Sequence, residues 1–174
     1  MRVFLLAPHP EINNNSSTQY PPLGILYLGG AIQDIVEELQ ILDANVLKLS
    51  VQETVNRIRK FHPDVLGLSI NIVTARVAKE IVRLIKRQLP NIKIIAGGPS
   101  PTISPNEWFE YCDVVISGEG EYPLRRIIEQ LKSGQEIVAD CNGICLPNGI
   151  HTKGEHPDLE ELPLPAYDYL TPRL

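Results

Sequence analysis

Cysteine is scarce: Cys112, Cys141 and Cys145 are the only three in 174 residues. An odd number of thiols without a secretion signal speaks against a disulfide framework. Cys141 and Cys145 stand four apart, as the first two ligands of a Cys-x-x-x-Cys-x-x-Cys cluster motif would. The third ligand position is Asn148, so the two are read as unrelated thiols beside a turn. Long apolar runs are missing too. No window approaches a membrane span, and the N-terminal run 3–7 is too short for a signal peptide. The protein is therefore expected in the cytoplasm. Nor is there a basic excess: 16 Lys and Arg stand against 21 Asp and Glu, a formal net charge of -5. That leaves no electrostatic footprint for nucleic acid or an anionic membrane.

Several ligand fingerprints are absent. A dinucleotide fold needs Gly-x-Gly-x-x-Gly after its first strand, and this chain has Pro8-His9-Pro10-Glu11 there. No phosphate-binding Walker motif occurs. A response regulator would end its third strand in Asp, and here that position is Ser69. No Ser-His-Asp or Cys-His arrangement is assignable. His62 reads as a helix-end residue, and His151 and His156 lie in the tail.

What is present is ordinary globular material, with 43% hydrophobic and 21% charged residues, enough for one compact domain. Short β-branched runs recur at 3–7, 39–43, 64–69, 93–97 and 114–117. Being apolar on both faces, they suit a parallel sheet covered on both sides. Helical periodicity fills the intervals. Pro22 suits a first helical position, and that helix runs towards Val36. Ser50 caps a second helix, ended by His62-Pro63. A third carries Ala78, Ile81, Val82, Ile85 and Leu89 up to Pro90. A fourth is expected between Thr102 and Tyr111. The last starts near Tyr122-Pro123 and stops at Gly134. Alternating strands and helices predict a flavodoxin-like, Rossmann-like doubly wound α/β sheet of five parallel strands in order 2-1-3-4-5.

Beyond residue 134 the pattern changes. Residues 143–146 and 150–152 flank Pro147-Asn148-Gly149, a hairpin signal. Residues 155–174 hold prolines and acidic residues and read as an extended linker. The expected organisation is an α/β domain over 1–134, a β-hairpin extension over 135–154 and a linker over 155–174. A chain ending in such a linker reads as truncated.

In an open α/β sheet, ligands bind beyond the carboxyl ends of the strands, near the switch in strand order. That edge holds Ser69, Ile70, Asn71 and Thr74, the pair Gly97-Gly98 with Pro99, and Ser117-Gly118-Glu119-Gly120. Paired glycines let backbone approach a flat ligand closely. The long polar loop after the first strand, with Ser16, Ser17 and Thr18, is read as a lid. Gly24 opens the first helix with a small residue, and Gly29 and Gly30 follow.

These residues carry a resemblance. The run Pro21-Pro22-Leu23-Gly24-Ile25-Leu26-Tyr27-Leu28, the segment Ile41-Leu42-Asp43-Ala44 and the stretch Pro63-Asp64-Val65-Leu66-Gly67-Leu68-Ser69 belong to it. So do Ile95-Ala96-Gly97-Gly98-Pro99 and Asp113-Val114-Val115-Ile116-Ser117-Gly118-Glu119-Gly120-Glu121. In this order and spacing they resemble the N-terminal B12-binding domain of cobalamin-dependent radical SAM enzymes, over nearly the whole chain. The acidic, proline-bearing tail at 158–168 resembles that family's linker into the radical SAM barrel.

The resemblance implies a cobalamin lying across the carboxyl edge, with its nucleotide tail reaching into the domain. It implies a C-terminal radical SAM domain in cis, which would bring S-adenosylmethionine and a [4Fe-4S] cluster. The full-length enzyme would be a methyltransferase or a tetrapyrrole-cyclase-like protein, and this segment alone would not turn over. In B12 domains an Asp-x-His-x-x-Gly motif supplies the lower cobalt ligand. Here Ala7, His9 and Ile12 occupy those positions. His9 is the candidate cobalt ligand, without the carboxylate that would fix its tautomer. Backbone and shape are therefore expected to hold the cofactor. Ser69 matches the family's Ser-x-Leu and Asn71 does not. A different class of reading is a stand-alone flavodoxin-like module for FMN or another nucleotide. The reading frame beyond Leu174 separates the two.

Overall fold

A computed structural model describes residues 1–10, 20–147, 149 and 152–171. Five parallel strands form the centre: β1 (Arg2–Ala7), β2 (Glu38–Asp43), β3 (Val65–Ser69), β4 (Lys93–Gly97) and β5 (Val114–Ile116). Two edge strands complete the sheet. β6 (Ile144–Cys145) runs antiparallel to β5, and β7 (Leu170–Thr171) runs parallel to β2. The order is β6-β5-β4-β3-β1-β2-β7. Among the described residues the sheet thus has seven strands rather than the expected five, and the order 2-1-3-4-5 is its central block. Both added strands are two residues long, too short to show a period of their own.

Among the described residues five α-helices cover the sheet: α1 (Leu23–Ile32), α2 (Val51–Phe61), α3 (Ala75–Gln88), α4 (Pro99–Ile103) and α5 (Glu121–Lys132). Alternation along β1 divides the core in two. Phe4 and Leu6 point to the side of α2 and α3, with Val55, Ile58, Ile81 and Ile85. Val3 and Leu5 point to the side of α1 and α5, with Ile25, Leu26, Leu124 and Ile127. A strand buried on both faces needs apolar residues at every position, which is why these runs read as continuous.

The caps explain the helix ends. Ser50 Oγ accepts the Glu53 amide at 3.3 Å, and Glu53 Oε2 accepts the Ser50 amide at 2.9 Å, a reciprocal capping box. Two helices differ from expectation. The first stops at Ile32 instead of continuing to Val36. The fourth begins at Pro99 and ends at Ile103, followed by a 3-10 turn at Pro105–Glu107, instead of spanning 102–111. Pro105 lacks an amide and biases Ser104 away from helical geometry, so the helix breaks there.

The tail also differs. Residues expected as a departing linker fold back on α1 and β2. Ala166 and Leu170 are buried, and the Ala166 amide donates to the Leu26 carbonyl at 3.0 Å. A Cβ on Gly30 would collide with the Leu164 carbonyl oxygen, so this glycine makes the notch that the tail occupies. The second strand of the expected hairpin falls at Ile150 and His151, outside the described residues; the Gly143 amide does donate to the Thr152 carbonyl at 3.1 Å.

Candidate functional site

The carboxyl ends of β3, β4 and β5 open on a cavity of about 360 Å³ between the sheet and the starts of α1, α4 and α5. Its walls are mostly apolar: Leu5, Ile25, Leu28, Ile95, Ile116 and Leu124. Glycine backbone forms much of the remainder, at Gly24, Gly67, Gly97, Gly98, Gly118 and Gly120. Polar groups are few, with Ser69, Thr102, Glu119, Glu121 and Lys153 at the lining. A small, mostly apolar concavity with a few polar groups is the usual form of a cofactor site.

The loops around it are laced together by backbone. Gly98 joins β4 to α4 at φ 95°, and a Cβ there would stand 2.8 Å from both the amide and the carbonyl oxygen of Ile70. Only glycine meets both demands cheaply. The Ile70 amide donates to the Gly97 carbonyl at 2.8 Å, and the Ser100 amide donates to the Ile70 carbonyl at 3.0 Å. The turns after β3 and β4 are thus one unit. The turn after β5 is held from both sides. The Gly118 amide donates to Thr102 Oγ1 at 3.0 Å, and the Gly154 amide donates to the Ser117 carbonyl at 2.6 Å.

Eight of the residues picked from the sequence line the cavity: Gly24, Ser69, Gly97, Gly98, Pro99, Gly118, Glu119 and Gly120. Four others stand behind or beside it. Ile70 and Ser117 are buried in the wall. Asn71 and Thr74 hydrogen-bond each other within one turn. Asn71 Oδ1 accepts the amides of Val73 and Thr74 at 3.0 Å, and the Asn71 amide donates to Thr74 Oγ1 at 3.1 Å. That turn leads into α3. Ser16, Ser17 and Thr18 lie outside the described residues.

His9 follows β1, and its Nδ1 sits 3.1 Å from Asn45 Oδ1. It does not line the cavity. Nearby, Asp43 is buried and accepts the amides of Asn45 and Val46 at 3.0 Å. Burial pushes its carboxyl above the ordinary carboxylate range, against the pull of those two amides and of His9. No group of three or more His, Cys, Asp or Glu side chains is arranged for a metal ion among the described residues. No helix among them is long and apolar enough to cross a membrane.

Glu121, Thr102 and Lys153 were not picked out from the sequence. Glu121 completes the Gly-Glu-Gly-Glu run, and as the first residue of α5 it turns inward. Thr102 follows from α4 starting at Pro99. Lys153 is brought over by the bridge between Gly118 and Gly154, which no local pattern announces.

A profile of the B12 binding domain matches residues 12–128. An uncharacterized methyltransferase of Pyrococcus horikoshii is 27% identical over 180 residues, covering 98% of this chain and 39% of that protein. The anaerobic magnesium-protoporphyrin IX monomethyl ester cyclase of a Synechocystis species is 29% identical over 172 residues, covering 95% and 33%. The chain therefore spans well under half the length of these relatives. Among solved structures, the cobalamin-dependent S-adenosylmethionine radical enzyme OxsB, with aqua-cobalamin and S-adenosylmethionine bound, superposes with a TM-score of 0.81 at 24% identity. It covers 96% of this chain and 24% of that one. Sheet order, the cavity at the strand ends and the matched profile agree: this chain belongs to the B12-binding domain family.

Proposed function

We propose that the chain holds cobalamin across the cavity-bearing edge and presents it to a radical SAM catalytic domain carried by the same polypeptide. The observation that carries this reading is the apolar cavity walled by glycine backbone at the carboxyl ends of β3, β4 and β5. It suits a flat, largely apolar group such as the benzimidazole of the nucleotide tail. Leu23, Ile72, Val73 and Tyr122 stand at the starts of α1, α3 and α5 on the same edge, each about half exposed or more. They offer apolar area to the corrin ring and to a covering domain.

The residues present fit the group. Gly97, Gly98 and Gly118 let backbone approach it, Leu28, Ile95, Ile116 and Leu124 exclude water from the base, and Lys153 supplies a cation for the phosphodiester. Among the described residues no histidine lines the cavity, and the His9 Nδ1 faces Asn45. The chain accordingly grips by shape and backbone rather than by a protein–cobalt bond. When bound, cobalamin supplies methyl transfer or electron chemistry at its cobalt. The chain's own task is to orient the corrinoid and keep its tail dry. The relatives point to a whole enzyme of the methyltransferase or cyclase type that uses S-adenosylmethionine, and the radical SAM resemblance adds a [4Fe-4S] cluster. The family match favours this reading over a stand-alone FMN module.

The direct test is titration of the purified protein with hydroxocobalamin. A saturable change in the visible bands is expected, and FMN is expected to produce none. An unchanged cobalamin spectrum up to high micromolar protein would overturn the reading.

A further inference from the structure

Glu121 stands out in the cavity lining. It is the first residue of α5, a 12-residue helix, and its side chain is 8% exposed. Its Oε2 is buried with no hydrogen-bond partner among the described residues. Leu28, Ile116 and Leu124 line the same cavity, Gly120 precedes Glu121, and neither Thr102 nor Lys153 of the lining makes a hydrogen bond to this oxygen. Buried polar atoms in folded proteins are almost always paired, so an orphan oxygen at a ligand cavity asks for a partner from the ligand. A carboxylate offers only acceptor oxygens. Its position by the positive end of the α5 dipole favours that charge. The missing partner is therefore a hydrogen-bond donor.

On the cobalamin reading, the group entering the cavity has few donors. The benzimidazole carries none, and the phosphodiester is an anion that the carboxylate repels. The ribose hydroxyls are the donors that the nucleotide itself brings, since the linker and corrin amides belong to cobinamide as well. We propose that Glu121 is a specificity-determining residue that accepts a hydrogen bond from a ribose hydroxyl of the nucleotide tail, so that the site selects corrinoids that carry the tail. The same charge disfavours the phosphate beside it and leaves that anion to Lys153, which lines the same cavity with its side chain over Gly118. Glu119 does not compete for this role. Its carboxylate is about half exposed and lies 3.4 Å from His156 Nδ1.

The test compares cobalamin with cobinamide, which lacks the nucleotide tail, on wild type, Glu121→Leu and Glu121→Gln, by visible absorption. The wild type is expected to bind cobalamin more tightly than cobinamide. Glu121→Leu is expected to weaken cobalamin by about 10- to 100-fold, the range of a hydrogen bond to a charged group, and to leave cobinamide within about twofold of wild type. Melting of the ligand-free proteins separates a structural role. Removing an unpaired buried carboxyl leaves the leucine variant at least as stable as wild type, whereas a carboxyl needed for folding would lower it. If the leucine variant is lowered, Glu121→Gln decides. It keeps the shape and one acceptor oxygen, and it is expected to weaken cobalamin alone by a smaller factor. Equal weakening of both ligands, or of neither, overturns the proposal, as does a wild type that binds cobinamide as tightly as cobalamin. A wild type that binds neither overturns the cobalamin reading itself.

Discussion

The carbonyl oxygen of Ile70 accepts the amide of Ser100 at 3.0 Å, and nothing but glycine fits between them at position 98. A Cβ on residue 98 would press on the Ile70 amide and carbonyl while sitting at φ 95°. Gly98→Ala therefore meets both steric overlap and backbone strain. The expected cost is about 2–4 kcal/mol, a fall of roughly 5–10 °C in Tm for a chain of this size. Relief requires the turns after β3 and β4 to part, so cobalamin affinity falls further than stability does. An alanine variant with unchanged melting and unchanged cofactor titration would show that the contact at Ile70 is slack.

The three thiols are expected to differ in reactivity. Burial, with Asp113 adding to it, pushes Cys112 up to about 12, and its Sγ donates to the Trp108 carbonyl at 3.1 Å. Cys145 is also buried and shifted up by burial. Cys141 is half-buried, and its shift has the same direction. The nucleophile is the thiolate. Iodoacetamide at pH 8, followed by peptide mass analysis, should modify Cys141 first and reach Cys112 only as fast as the protein unfolds. Early labelling of Cys112 would contradict its burial.

Much of the fold was legible because its signals are local. The five central strands are apolar at successive positions, and Ser50 with Glu53 spells its cap within four residues. The site edge was legible as topology, since ligands gather where strand order reverses, and Gly97-Gly98 stood at a strand end. What was hidden depends on partners far along the chain. The tail looked like a linker because its prolines are visible and its notch at Gly30 is not. Asn71 and Thr74 looked like ligand contacts, yet they hydrogen-bond each other within one turn. Such short-range pairing competes with ligand binding for the same atoms. Glu121 was passed over because a glutamate at a helix start usually faces solvent, and here the cavity lies on that side.

Asp43 gives a pH dependence with a definite sign. Burial raises its carboxyl above the ordinary value, so the folded protein keeps a proton that the unfolded chain has released. Stability from this group is present below the unfolded value, about 4, and declines as pH rises through the raised folded one. Asp43→Asn retains an oxygen for the Asn45 and Val46 amides and carries no charge to bury. Its Tm at pH 7 should equal or exceed that of wild type, and the decline between pH 4 and 7 should be shallower. A variant melting several degrees lower at pH 7 would mean that the carboxylate charge itself is needed beside His9.

The returned tail should contribute measurably. Leu170 is 3% exposed and pairs with Ile41 across the parallel ladder of β7 and β2. Leu170→Ala removes buried apolar volume at a sheet edge, for about 2–3 kcal/mol. Loosening β7 also frees the Leu164–Ala166 contact with α1. Limited proteolysis should then cut within 155–163 faster than in wild type. Equal cutting rates in both proteins would show that the tail holds without its last strand.

Gly24 separates the demands of the site from those of the fold. It lines the cavity, and a Cβ added to it would meet nothing within 4 Å. Space alone therefore does not require glycine there, and within a helix glycine costs about 1 kcal/mol relative to alanine. A fold optimised for stability would place a larger residue at this position. Gly24→Leu should raise Tm by about 2–4 °C, because it gains helix propensity. The same side chain occupies space that the cofactor needs, so cobalamin binding should fall at least tenfold, equivalent to about 1.4 kcal/mol. A leucine variant that is both more stable and undiminished in cobalamin affinity would place the cofactor away from α1. A variant that loses stability would mean that glycine there serves packing.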